Sequence, residues 1–326
     1  MKELSVTNES SGQRLDKYLK RLLPSCPGSL IYKQLRKKNI TLNGKKADGH
    51  ELLNAGDIVN VFFSDETYEK FSKGEAADVT KYLKAYEKYG KLEVIFSDEN
   101  IIVFNKPSGI LSQSDESGAL SVNDYLIGCL IDDGTVTADS LSSFRPSICN
   151  RLDRNTSGLI LCSKSLRGAR FLNRIISEHN TEKYYLALIK GRFDKEGVHT
   201  SFVKKDEKNN KLLFTEESAA GAVQIKTGFE VIRAEDEATL LKVRLYTGKS
   251  HQIRAHLSQL GHPILGDPKY GSVDKNGAGR QMLHAYCIKV TDETPEYKGL
   301  MLKAPMPDDM KNLCKKYFGE IEEPLI

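Results

Sequence analysis

At 326 residues the chain exceeds one typical domain, and its 39% hydrophobic and 28% charged residues exclude a disordered or fibrous polypeptide. No stretch approaches the roughly 18 consecutive apolar residues of a membrane span, and the N-terminal MKELSVTNESSGQ lacks the apolar run of a secretory signal. The six cysteines (Cys26, Cys129, Cys149, Cys162, Cys287 and Cys314) form no CxxC pair, so a soluble, cytoplasmic protein with reduced thiols is expected, as a monomer and away from membranes. The net charge of +4 is too small to name a partner, but it is unevenly spread. Residues 1–63 hold 11 Lys/Arg against 6 Asp/Glu, a local +5, and leave −1 for the rest. That is the pattern of a small basic module tethered to a nearly neutral body.

Leu15, Tyr18, Leu19 and Leu22 recur at the spacing of one helix face, which Pro24 helps to end. Ser29 is placed to cap a second helix carrying Leu30, Ile31 and Leu35, with Lys33, Arg36, Lys37 and Lys38 around them. Ile40-Thr41-Leu42 reads as a strand entering the Asn43-Gly44 turn, and residues 57–63 read as another. Residues 1–64 thus make one module, and residues 65–91, charged and poor in apolar positions, read as a linker. Residues 92–96 and 101–105 form a hairpin about Ser97-Asp-Glu-Asn100. The polar stretches 112–124 and 132–143 read as loops, residues 165–180 as an amphipathic helix and 183–189 as a strand. Leu241, Val243 and Leu245 alternate with Lys242 and Arg244, the mark of a half-buried strand. With no repeating βαβ unit, residues 92–326 fit a mixed α+β body better than a doubly wound sheet.

Two segments carry candidate chemistry. In Asn150-Arg-Leu-Asp153-Arg-Asn-Thr-Ser-Gly158 a carboxylate sits in a polar, glycine-terminated loop abutting the apolar strand Leu159-Ile-Leu-Cys162, where reactive groups are held rigidly. A purely structural Asp153 would cap the loop or pair with Arg151 or Arg154. The second segment runs from Thr247 to Gly261. Ser250 is placed to cap a short helix and Gly261 to stop it, with Ile253, Leu257 and Leu260 as its buried stripe and Arg254 beside that stripe. An arginine so placed next to a carboxylate fixes its orientation and favours its charged form. Gly248-Lys249-Ser250 is no phosphate-binding loop, because Val243 stands where that motif needs glycine. His251 and His256, five apart, lack the i, i+4 spacing of a zinc helix, so no metal is expected.

These segments, with Asn105-Lys-Pro-Ser-Gly109, Lys183-Tyr-Tyr185-Leu-Ala187, His262-Pro-Ile-Leu-Gly-Asp-Pro-Lys-Tyr-Gly271, Leu283-His-Ala285 and Lys303-Ala-Pro305, resemble in order the signature blocks of the RluA family of pseudouridine synthases. The resemblance covers roughly residues 92–320, and residues 1–63 are similar to an S4-type RNA-binding domain. It implies a mixed, largely antiparallel sheet and an isomerisation of uridine in RNA that calls for no cofactor. Asp153 would be the catalytic residue, either bonding to C1′ or removing a ribose proton, with Arg254 as its partner. Tyr185 would stack on the flipped base and assist proton removal from C5. Asn150, Arg151, Leu152, Thr156, Lys183 and Ile253 would bind substrate. Arg14, Lys17, Lys33, Arg36, Lys37 and Lys38 would contact RNA, ribosomal first and transfer RNA second. The family more often has histidine at position 150, and Asn150 keeps hydrogen-bonding capacity without charge. The rival reading is a non-catalytic RNA-binding or ribosome-assembly factor, against which Asp153, Tyr185 and Arg254 stand together.

Overall fold

A computed structural model describes residues 1–7, 10–72, 78–206, 209, 211–271 and 277–320. The chain divides into two compact units, one of residues 1–89, 124–147 and 164–169, the other of 90–123, 148–163 and 170–326. No helix among the described residues is long and apolar enough to cross a membrane.

The first unit contains β1 (Lys2–Ser5), α1 (Leu15–Leu22), α2 (Gly28–Arg36), β2 (Ile40–Leu42), β3 (Lys45–Lys46) and β4 (Ile58–Val61). Its antiparallel sheet has the order β1-β4-β2-β3. The stripe read from the sequence is what α1 buries: Leu15, Tyr18 and Leu19 join Ile31, Leu35, Ile40, Val59 and Val61 in one core. At the β2–β3 turn Asn43 (φ 51) and Gly44 (φ 70) are both left-handed, the geometry that favours this dipeptide. Asn43 also locks the turn, accepting the Ile58 N–H at 2.8 Å and donating to Asp57 at 2.9 Å.

Ser29 does not cap α2. That helix starts two residues earlier than such a cap requires, at Gly28 after Pro27, whose fixed φ of −55° prepares the first turn without a side-chain hydrogen bond. The segment read as a linker holds α3 (Asp65–Ser72) and α4 (Thr80–Tyr89). The stretches read as loops contain the start of α5 (Val122–Asp132) and the short α6 (Ser140–Ser143). On α5 Tyr125, Leu126, Ile127 and Leu130 are all buried, so no polar face announced the helix. A Cβ on its Gly128 would meet the Tyr82 carbonyl oxygen of α4 at 2.2 Å, so glycine lets the two backbones touch.

The second unit contains β5 (Val94–Ser97), β6 (Ile101–Lys106), β8 (Ser157–Ser163) and β9 (Thr181–Lys190), while β7 (Ser147–Ile148) and α7 (Leu166–Ser177) each begin in the first unit and end in the second. There follow β10 (Gly197–Asp206), β11 (Lys211–Thr215), β12 (Val223–Ala234), β13 (Ala238–Leu245), α8 (Gln252–Gln259), β14 (Leu283–Val290), β15 (Met301–Lys303) and α9 (Asp308–Phe318). The sheet order is β11-β10-β12-β13-β9-β14-β8-β6-β5, with β15 on β14 and β7 on β8. Along that path every pairing is antiparallel except β14 with β8, which matches the expected mixed sheet. In β9 the run Leu186-Ala187-Leu188-Ile189 is buried on both faces, covered by Leu257 of α8 and Met310 and Leu313 of α9.

The parallel pairing needs a glycine. Gly158 lies opposite Ala285 at φ +112, and an added Cβ would stand 2.2 Å from the Ala285 carbonyl oxygen. Gly158→Ala is expected to cost about 3 kcal/mol or more in urea unfolding. Gly134→Ala, at φ +75 in open space, should cost only about 1–2 kcal/mol from its left-handed backbone.

Candidate active site

The loop leading into β8 is anchored on both sides of Asp153. The Ser112 hydroxyl accepts the Leu152 N–H at 3.0 Å and donates to the Leu152 carbonyl at 2.7 Å, while the Thr156 N–H closes onto the Asp153 carbonyl at 3.0 Å. Two buried cations hold the next two carbonyls. Lys106 Nζ donates to Arg154 O at 3.0 Å, and Arg280 Nη1 donates to Asn155 O at 3.1 Å. Lys106 also donates to the carbonyls of Pro107 and Ile110, both at 2.9 Å, and burial pulls its ammonium down to about 7. Arg280 is fixed in turn by Asp309, at 2.6 and 2.9 Å.

Helix α8 supplies the partner of Asp153, although Ser250 does not cap it. His251, at φ 59, precedes the helix, and the Gln252 side chain ties down its start. Gln252 Oε1 accepts the Lys249 N–H at 3.1 Å and the Thr247 hydroxyl at 2.9 Å. The expected single buried stripe is also too narrow, since all of Gln252 to Leu257 is buried. Gly261 does end the segment, at φ +88.

Arg254 projects from this helix into a fork of two carboxylates. Its Nη1 donates to Asp153 Oδ2 at 2.7 Å, and its Nε and Nη2 donate to the two oxygens of Asp267 at 2.7 and 2.8 Å. Asp267 is 0% exposed, and its Oδ1 also accepts the backbone N–H groups of Lys269 and Tyr270. Asp153 remains 24% exposed. Burial works against the charge of Arg254, but the two carboxylates outweigh it and raise its pKa. His251 stands 3.8 Å from Asp153 Oδ1, and burial lowers its pKa against the opposing pull of Asp153.

Tyr185 lies on β9 between Val243 and Ala285 of the flanking strands. Burial and then the charge of Asp153 push its phenol up. Tyr184 faces the other way, donating to Glu182 at 3.1 Å.

The structure thus brings Asp153, Arg254 and Tyr185 together. Several other sequence candidates are tied into the fold. Asn150 accepts the Leu161 N–H at 2.6 Å and donates to Leu159 O at 3.2 Å, holding its own segment to β8. Leu152, Thr156 and Ile253 are buried, and Thr156 accepts from Gln281 at 3.3 Å. Arg151 is exposed, and Arg154 Nε turns to Gly109 O at 3.1 Å, so the local pairing open to Asp153 gives way to Arg254. Lys183 is half-buried. His251 and His256 have separate surroundings, the latter between the Thr227 and Ser201 hydroxyls. In the first unit Lys17, Lys33, Arg36, Lys37 and Lys38 are exposed, while Arg14 forks onto Asp16 at 3.1 and 2.9 Å. Sequence reasoning missed Asp267 and Lys106, although both lie inside quoted blocks. Asp267 follows Gly266, whose φ of +72 brings the chain against the Arg280 carbonyl.

Residues 100–259 match the family model described as RNA pseudouridylate synthase, and residues 13–59 match the S4 domain. The ribosomal large subunit pseudouridine synthase C of Pasteurella multocida (strain Pm70) is 31% identical, over 96% of this chain and 93% of its own. The ribosomal large subunit pseudouridine synthase D of Nitrosomonas europaea is 28% identical, over 96% of this chain and 87% of its own. Among solved structures, Human RNA Pseudouridylate Synthase Domain Containing 4 shares the fold with a TM-score of 0.56 at 20% identity, over 72% of this chain and 96% of its own.

Removing the charge of Asp267 leaves a buried guanidinium half-paired. Asp267→Asn is expected to lower stability by about 3 kcal/mol and to cut turnover in the remaining folded protein. Denaturant melts and single-turnover rates would measure the two effects separately.

Proposed function

The chain belongs to the RluA-type pseudouridine synthases, RNA-modifying isomerases, and on that premise we propose that Asp153 is the group on which the isomerisation turns, with large-subunit ribosomal RNA as the substrate. The observation that carries this reading is the 2.7 Å bond from Arg254 to a carboxylate that is still partly open to solvent. The reaction breaks the C1′–N1 bond, turns the uracil and joins C1′ to C5. C5 gives up a proton and N1 ends with one, so atoms balance with no external group and the proposed steps call on no cofactor. As the glycosidic bond breaks, positive charge gathers on the sugar, and a fixed carboxylate is suited to stabilise it. Arg254 occupies Oδ2 of Asp153 and leaves Oδ1 toward the side of His251.

The target uridine must leave its stack to reach this carboxylate, at a cost of a few kcal/mol that binding offsets. Tyr185 supports the extruded base as a neutral ring, because burial and the charge of Asp153 keep its phenol protonated. Large-subunit ribosomal RNA is favoured over transfer RNA because two relatives that align over almost the whole chain carry that substrate in their names. Residues 1–64 serve as the RNA anchor, with residues 65–91 joining them to a catalytic part at 92–326. The support is the local +5 charge and the exposed Lys33, Arg36, Lys37 and Lys38.

Asp153→Asn keeps the shape of the side chain and removes its charge. It should abolish tritium release from C5-labelled uridine in RNA while leaving the RNA Kd within a few fold. Substantial residual release would overturn the assignment of Asp153. Replacing Lys33, Arg36, Lys37 and Lys38 together by Gln should weaken RNA binding and flatten its log–log salt dependence by about 0.7–0.9 for each phosphate no longer neutralised. An unchanged slope in filter-binding titrations would place the RNA anchor elsewhere.

A further inference from the structure

Strand β9 alternates its side chains, so Thr181 and Lys183 share the face of Tyr185. Where the strand begins, a cavity of about 140 Å³ is lined by His179, Thr181, Glu182, Lys183, Arg244 and Thr291, together with Leu245 and Tyr246. Two of these groups lack a counterpart. Thr181 is 8% exposed, and its Oγ1 has no hydrogen-bond partner among the described residues, a condition native proteins rarely leave uncompensated. Lys183 has no carboxylate partner among the described residues, and burial alone lowers its pKa. A bound anion would offset that burial.

The charges around the cavity favour an anion. Its carboxylate, Glu182, is already engaged by Arg244 at 2.7 Å, by Lys289 at 4.0 Å and by the Tyr184 hydroxyl at 3.1 Å. Arg244 and Lys289 lie opposite Tyr184 and Glu182 on the neighbouring strands, so they answer Glu182 on that face and leave the charge of Lys183 unanswered on the other. The aromatic ring at the rim is not free to stack a base, since Lys226 and Arg244 lie 4.8 and 4.7 Å from the centroid of Tyr246. An ammonium and a hydroxyl donor in a cavity of this size suit a tetrahedral oxyanion. Along a strand, two residues span roughly 7 Å, so Lys183 lies within about one nucleotide's reach of Tyr185.

We propose that this cavity seats a backbone phosphodiester of the RNA, next to the target uridine, held by Lys183 Nζ and Thr181 Oγ1. The proposal deepens the reading of the site and rests on Tyr185 as the support of the extruded base. It makes Thr181 and Lys183 positioning residues that set where the strand lies as the base turns.

The test uses the full chain and RNA substrates carrying either a phosphate or an uncharged methylphosphonate on each side of the target uridine. Thr181→Val and Lys183→Met should each raise KM on natural RNA by about five- to tenfold, with a smaller change in kcat. Lys183→Met should also flatten the log–log salt dependence by about 0.7–0.9, and Lys183→Arg should restore it. With the methylphosphonate at the seated position the wild type should lose a similar factor and the variants little more, the signature of a coupled pair. Variants that lose the same factor on both substrates would overturn the proposal. So would free inorganic phosphate binding that RNA does not displace, which would mark an adventitious ion only. If Thr181→Val does not fold, the Lys183 cycle decides alone. Repeating the binding cycle in an Asp153→Asn background separates the two readings. Turnover by that variant would sink the catalytic assignment, whereas a missing phosphate coupling would sink this one.

Discussion

One guanidinium shared between two carboxylates governs the geometry of the site. Asp267 is fully buried and takes two hydrogen bonds from Arg254, while Asp153 takes the third donor and stays partly open. The roles are unequal. A buried bidentate pair is rigid, because both partners lose far more by separating than they gain. The single bond to Asp153 then transmits that rigidity to the carboxylate of the pair that is partly open to solvent. Burying the second acid of the fork keeps the first where it is needed without enclosing it.

The backbone beneath Asp153 is held in a complementary way. Lys106 and Arg280 bind successive carbonyls of the loop, so the cations grip the main chain and leave the carboxylate to Arg254. Ammonium and guanidinium donors to backbone carbonyls are stronger than neutral hydrogen bonds. They also help to explain how a fully buried Lys106 is accommodated, with three carbonyl acceptors around its nitrogen.

Much of this was readable from residue patterns, and the failures have physical causes. The stripe of α1 and the Asn43-Gly44 turn were legible because local spacing and backbone preference decide them. Helix α5 was not, because burial on most sides erased the polar face that periodicity detects. The cap assigned to Ser250 failed because left-handed His251 stands between it and the helix, and Gln252 instead ties the start by accepting the Lys249 N–H. Asp153 and Arg254 stood out as candidates in their segments and took their roles from the family resemblance, but Asp267 had no such mark. An acid in a proline-flanked turn has no local feature to mark it as the buried half of an ion pair. Asn150 shows the opposite case, a polar residue in a reactive loop whose amide serves a neighbouring strand.

The parallel pairing of β8 with β14 has a consequence for how the protein comes to exist. Ser157 and its partner His284 are 127 positions apart, and Asp153 and Arg254 are 101 apart. Contacts so distant in sequence close late, because a long loop must lose its freedom before they form. A chain growing from its N-terminus cannot join β14 to β8 until most of its length has emerged. The Asp153–Arg254 bond and the β8–β14 pairing therefore form only after the long segments between their partners are in place. A product that ends before β14 lacks the strand that pairs with β8, and so the support of the segment that carries Asp153.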